Sequence, residues 1–477
     1  MGSQHGNGKD DQQNASFPFQ AGTCSNGNRD RYSDTSTLYG MIFRNVRLIL
    51  LSVFLLGTFT RPAFAQRGPF AGMHTWQPAE LQSDLNTLVS LLRKHHPALH
   101  RYCTPAQFDR CVDSLRATLD RPLTELEFLG RIAALYPLLG DGHTLLLPSG
   151  RGDSGISPMY LPLDVAWIDT ALYLRCDPSR TDGLQAGARI LAINGMAAAV
   201  VMDTMLRRQV RDGHDLSYPR WILDRWFRPY FRFSFGQPEH FELELEQADG
   251  SRTVMLTAQP SDSIGGRCPT DQQSGISLSF HVDSSVALLS IPTFDRVTLP
   301  KMKSSLKDAF VLIAERGIEH LILDLRGNQG GDPAVAKVLL AHLLNRPFTL
   351  VAAGPASGPA HPVKRPYQGR LYTLMDGGSF SVTTMVLAQL ELHQRGPLIG
   401  EESGGDRTVM SGSGKTWTLP HTGMNCTIST RQWLLVDRKD DGHGVMPTHP
   451  VARTIDDVIQ GRDAAFLDAI RMTTEHR

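Results

Sequence analysis

The chain has no surplus of charge of either sign. Its 48 Lys and Arg balance 48 Asp and Glu, for a formal net charge of +0. The basic excess that marks a nucleic-acid-binding surface is missing, so no nucleic-acid partner is expected. Cysteine is scarce, with 6 in 477 residues, and none of the spacings is that of a zinc site. No metal or cofactor is expected. Long apolar runs are also missing. The most apolar stretch, Leu48 to Gly57, is too short for a comfortable membrane span. There are no internal repeats and no low-complexity tracts. What remains is ordinary globular composition, 41% hydrophobic and 20% charged, in a chain longer than one hydrophobic core usually spans. Two or three domains are expected.

Residues 1–40 are polar, rich in Gly, Asn, Asp and Ser, and without periodicity. They read as a disordered leader, or as sequence upstream of a true start at Met41. Residues 41–65 have the make-up of a signal peptide: basic Arg44 and Arg47, a short apolar run, then Ala63-Phe64-Ala65 as a small-x-small cleavage site. Cleavage after Ala65 is the expectation, and an uncleaved N-terminal anchor is the rival. Either way the chain is expected to be exported, to the periplasm or the outside of a bacterial envelope. Export permits disulfides. The cysteines left after cleavage are Cys103, Cys111, Cys176, Cys268 and Cys426, an odd number. Cys103 and Cys111 are near enough in sequence to bridge a loop to the following helix.

Residues 76–150 read as a helical subdomain. Leu81, Leu85, Leu88 and Leu92 keep a helical period up to Pro97, Thr104-Pro105 opens a second helix, and Thr124 a third. His95 and His96 end the first helix and read as complements to its dipole. After the third helix comes Gly140-Asp141-Gly142-His143-Thr144. A histidine in such a turn can point into a cleft, but as a general base it needs a partner elsewhere. His214 and His443 lie in similar Asp-Gly-His turns and read as surface turns.

Residues 155–260 read as a small β module with an aromatic insertion at about 203–235, either packing or lid. Within the module, residues 182–195 resemble the PDZ pattern of small helix, turn, strand and Asn194-Gly195 hairpin. PDZ modules add an extended peptide to a sheet edge. Residues 260–274 read as a linker. From 276 to 472 strands and helices alternate, which predicts an α/β catalytic domain. Two features of it carry chemistry. Leu321–Leu325 is a buried strand ending in Arg326-Gly327-Asn328-Gln329-Gly330-Gly331, a loop able to bring a backbone N–H close to a ligand. Leu371–Met375 is a strand that breaks at Asp376-Gly377-Gly378 and passes through Ser379-Phe380-Ser381 into a helix. Ser381 sits where N–H groups and the helix dipole can stabilise an oxyanion, though a serine there also serves as a plain N-cap.

The segments LILDLRGNQGG (321–331), GGSFSVTT (377–384), IGEESGG (399–405) and DGHGVMPTHPV (441–451), in this order and spacing, resemble the C-terminal-processing (tail-specific) serine peptidases. The helical start that ends in GDGHT is similar to their tricorn-core branch. The resemblance spans residues 76 to about 470 and implies a crotonase/ClpP-like α/β core preceded by a PDZ-like module. One branch uses a Ser–Lys dyad, but the loop Gly400–Asp406 holds no lysine. The tricorn-like branch uses Ser and His, supported by a further Ser and a Glu. The resemblance therefore implies Ser381 as nucleophile and His143 as base. Asp441 stands where the family places its Glu, and Gly142 where it places its Ser. Oxyanion donors would be the N–H of Val382 and of Gly330 or Gly331. The family's Glu just after the nucleophile is missing, with Thr384 nearby. The function implied is an exported serine peptidase that cleaves peptides or unfolded protein tails through an acyl-enzyme, with the substrate's C-terminus as one point of engagement. The alternative is a catalytically inactive homologue that binds peptides or small apolar ligands.

Overall fold

The computed structural model describes residues 68–475, apart from 154, 156, 179–180, 265–274, 282–284 and 298–300. The leader, the signal segment, Cys268 and most of the linker lie outside the described residues.

Three helices begin the fold: α1 (Pro78–His95), α2 (Pro105–Thr118) and α3 (Glu125–Ile132). Capping fixes where the second and third start. Thr104 and Gln107 bond reciprocally across the first turn of α2, as Thr124 and Glu127 do for α3. Leu81, Leu85, Leu88 and Leu92 of α1 form one buried face. A turn at residues 140–144 then leads into a short strand, β1 (Leu145–Leu147).

The β module is an antiparallel sheet of β2 (Asp164–Ile168), β3 (Ala171–Cys176), β4 (Arg189–Ile193), β5 (His240–Gln247) and β6 (Gly250–Thr257), ordered β6-β5-β4-β3-β2. Between β4 and β5 run α4 (Ala198–Leu206), α5 (Ser217–Arg225) and α6 (Phe227–Phe235). Tyr218, Phe227, Tyr230 and Phe231 of the last two are buried, so the aromatic insertion packs rather than forming an open lid. One hydrophobic core joins the α1–α3 segment, the β module and these helices. Cys103 is a free, buried thiol, so the bridge to Cys111 does not form.

The second large sheet contains β7 (Ser277–His281), β8 (Val286–Ser290), β9 (His320–Asp324), β10 (Arg370–Met375), β11 (Leu398–Gly400) and, after several intervening elements, the short His449–Pro450 strand, in that order. Only the β7–β8 pair is antiparallel. Helices α7 (Met302–Glu315), α8 (Pro333–Leu343) and α9 (Val382–Leu392) pack on it, making an α/β layer structure. Because β9 and β10 are parallel neighbours, the loops after them, 326–331 and 376–381, leave the same end of the sheet side by side.

The stretch 426–435, whose composition alone reads as one strand, is two: β13 (Asn425–Ile428) and β14 (Arg431–Leu434), broken at Ser429-Thr430. The first pairs with β1, and the second with β12 (Val409–Gly412). The β1–β13 pairing fastens the segment after His143 to the α/β region. Among the described residues no helix is long and apolar enough to cross a membrane.

Candidate active site

Two loops build the floor of the site. Asn328 is buried and works in three directions. Its side-chain amide donates to Ile291 O (2.9 Å), its Oδ1 accepts Gly330 N–H (2.9 Å), and its backbone carbonyl accepts Phe380 N–H (3.1 Å). Asp376 Oδ1 accepts the N–H groups of Gly327 (2.8 Å) and Gly378 (2.9 Å), and Ser379 Oγ donates to Leu325 O (2.9 Å). The glycine loop and the serine turn are thus one hydrogen-bonded unit.

Ser381 takes the N-cap position of α9 but does not cap. Its φ/ψ of 59°/−123° lies outside the usual N-cap region, and its side chain makes no bond to the first turn. Such a conformation costs a non-glycine residue about 1–3 kcal/mol and is held only by well-determined surroundings. Ser381 Oγ instead lies 2.9 Å from His143 Nε2, across 238 residues of sequence. With the serine O–H donating, Nε2 accepts and the ring proton sits on Nδ1. The imidazole stacks on Phe380 (centroids 4.7 Å, 24°), which stacks in turn on Tyr218 (4.0 Å, 4°). Tyr218 is fixed by its hydroxyl on Gln329 Oε1 (3.1 Å). A β-carbon on Gly142 would fall 2.5 Å from Phe380 Cζ, so the ring that supports His143 leaves no room for the serine of the family pattern.

Val382 and Gly331 present N–H groups with no partner among the described residues. Gly330, the third expected oxyanion donor, spends its N–H on Asn328. Gly330 serves by being small: a β-carbon there would meet Val382 N at 2.7 Å and Ser381 Cβ at 2.8 Å, and its φ is +92°. Thr384 is buried, with its hydroxyl on Ser379 O (3.2 Å).

Asp441 is exposed, and its carboxylate pairs with Arg407. Among the described residues, the carboxylate within 4 Å of a His143 ring nitrogen is that of Asp141, with Oδ1 3.9 Å from Nδ1. Nδ1 is buried and has no hydrogen-bond partner among the described residues. Asp141 Oδ1 also accepts the His143 backbone N–H (2.8 Å), and Oδ2 accepts from His96 Nε2 (2.9 Å) and Thr144 Oγ1 (2.5 Å). Burial pushes the Asp141 carboxyl up. The bond and charge of His96, the charge of His143 and the Thr144 hydroxyl outweigh it and leave the group well below the usual carboxylate range. Burial lowers the affinity of His143 for a proton, and the Asp141 charge only partly restores it.

His96 is therefore not a surface complement to a helix dipole but a buried partner of Asp141. No motif marks it. The signal for Asp141 is its place two residues before His143 in one turn. His95 stacks on Trp417, while His214 and His443 are exposed, the latter on Glu402 (3.1 Å). Asp141, His143 and Asp212 bring one ligand-type atom each to within 4.8 Å of one another. The two carboxylates are already taken up by donors, Asp212 by Gly142 N–H (2.7 Å), so the group reads as hydrogen-bonded framework.

A serine and a histidine in contact beside free backbone donors, at the strand ends of an α/β sheet, define the class: a serine-type peptidase. Residues 285–451 match the model of peptidase family S41, the family of the C-terminal-processing peptidases that the sequence pattern resembles. No curated protein matches the chain. Among solved structures, mature CPAF complexed with lactacystin superposes with a TM-score of 0.64 at 15% identity, covering 83% of this chain and 98% of that one. Mature CPAF alone gives 0.61 at 15% identity, over 82% and 96%. The photosystem II D1 C-terminal processing protease gives 0.41 at 17% identity, over 81% and 98%. At such identity the two CPAF superpositions speak for the fold alone.

Proposed function

We propose that the chain is an exported serine peptidase that cleaves peptides or unfolded protein tails by acyl transfer from a Ser381–His143 centre. The observation that carries this is the 2.9 Å contact between Ser381 Oγ and His143 Nε2, made by a strained serine that forgoes capping its helix. As Oγ attacks the scissile carbonyl, the Oγ–C bond forms and the hydroxyl proton passes to Nε2. The N–H groups of Val382 and Gly331 receive the oxyanion, aided by the positive end of α9. The C–N bond then breaks, Nε2 returns the proton to the leaving amine, and water repeats the sequence on the ester. A lysine base has no place here, since the loop 400–406 holds none.

Export rests on the signal-like segment at 41–65. The β module would engage the substrate's tail or gate the cleft. On its edge strand β2, Trp167 N–H already donates to Asp224 Oδ1 of α5 (2.8 Å), which favours gating at that position. The intact serine–histidine contact disfavours the inactive, ligand-binding reading. The test is cleavage of an unfolded, reduced casein by the purified chain. Ser381→Ala and His143→Ala should each lower the rate at least about 10³-fold with the fold retained. Residual cleavage by Ser381→Ala at the wild-type rate would falsify the proposal.

A further inference from the structure

Resting on the Ser381–His143 reading, we propose that Asp141, clamped by His96 and Thr144, is the positioning residue of His143, in the role that the sequence pattern gave to Asp441. Three constraints converge on this carboxylate. First, the His96 tautomer is fixed from outside, because its Nδ1 accepts Ala98 N–H at 3.2 Å. Nε2 must then carry the proton and donate it to Asp141. Second, Thr144 Oγ1 accepts Ser429 N–H at 3.0 Å, which directs its own hydroxyl proton to Asp141. Third, Asp141 Oδ1 is held by the backbone N–H of His143, the residue whose ring it faces.

Two further carboxyl groups stand near Asp141. Asp212, from the segment between α4 and α5, faces it across Gly142. Burial and the Asp141 charge push the Asp212 carboxyl well above the usual carboxylate range. Behind Asp212 lies Asp406, whose backbone N–H points at Asp212 Oδ2 (3.4 Å) and whose carboxyl burial pushes up to about 7.

A separation of 3.9 Å is an ion-pair distance and not a hydrogen bond. Catalytic contacts of this kind are often long without substrate and close as the reaction proceeds. Asp141 does two things from there. It keeps the Nδ1–H tautomer, so that Nε2 is free to accept the serine proton. It also balances the imidazolium that forms after transfer, without taking the proton itself. Asp441, exposed and paired with Arg407, can do neither.

The experiment measures the rate of labelling of the full chain by a fluorophosphonate from about pH 5 to 9, for wild type, D141N, H96L and H96Q. D141N should label about 10²–10⁴-fold more slowly on the plateau. Its acid limb should move to lower pH, because the charge that favours a protonated imidazole is gone. H96L should lose about 10-fold or more, and H96Q, whose amide can donate to the same oxygen, should recover most of it. A merely structural role would lower melting temperature and leave the acid limb in place. A folded D141N with an unshifted limb overturns the inference. If D141N does not fold, the histidine pair decides, and wild-type rates in both H96L and H96Q overturn it. A wild type that takes no label at Ser381 refutes the serine–histidine reading itself, before any Asp141 variant is compared.

Discussion

His143 sits where burial and a neighbouring charge oppose each other, and burial wins, lowering its proton affinity below that of an ordinary histidine. The neutral ring is the form that can accept the Ser381 proton, so it persists further into acid than a free imidazole would. The acid limb of kcat/KM should therefore fall below the ordinary histidine value of about 6.5. The same shift bears on stability with a definite sign. Below about pH 6.5 the unfolded chain takes up a proton that the folded chain resists, so acidification there favours unfolding. A pH–rate profile checks the first statement, and an acid limb above that of free histidine contradicts it. At this scale Ser381 and His143 could be read from the sequence because each lies in a glycine-framed turn with neighbours in family order. Asp141 and His96 could not. Their partnership depends on how the end of α1 meets the 140–144 turn, and adjacent histidines at a helix end look like dipole complements.

The unit made by the 326–331 loop and the 376–381 turn tolerates almost no added atoms. Gly330→Ala would place a methyl against Val382 N and Ser381 Cβ, in a backbone conformation with φ of +92°. The Val382 N–H would be screened or displaced from the oxyanion. Loss of one such donor costs about 10²–10³ in kcat. That loss in kcat with the melting temperature lowered but a cooperative transition retained is the expected outcome. An unchanged kcat would remove Val382 from the oxyanion role. Most elements could be read in advance from apolar period and caps, as with α1, α2, α3, β4, β10 and α9. The misses have local causes. Residues 426–435 keep strand composition through Ser429-Thr430, where the chain turns because Ser429 N–H is drawn to Thr144 and Thr430 N–H to Gly412 O. The strand Val409–Gly412 is short and ends on a glycine, and its partner is Arg431–Leu434, which composition alone does not reveal.

Over the whole molecule, the nucleophile and its base come from opposite ends of the fold. His143 belongs to the helical start and Ser381 to the α/β region, and three ties close the gap: the β1–β13 pairing, the Thr144–Ser429 bond, and the stack of His143 on Phe380 and Tyr218. The helical segment, the β module and the aromatic helices share one core, so the base is held by a large packed body and not by a loose appendage. Linear sequence shows the segments but not that they share a core. The central claim is that these ties deliver an activated serine. Intact-protein mass after reaction with a fluorophosphonate, followed by peptide mapping, tests it most directly. The account predicts a single adduct on Ser381 that is lost in Ser381→Ala and at least about 10³-fold slower in His143→Ala. No adduct, or an adduct on another serine that persists in Ser381→Ala, would contradict it.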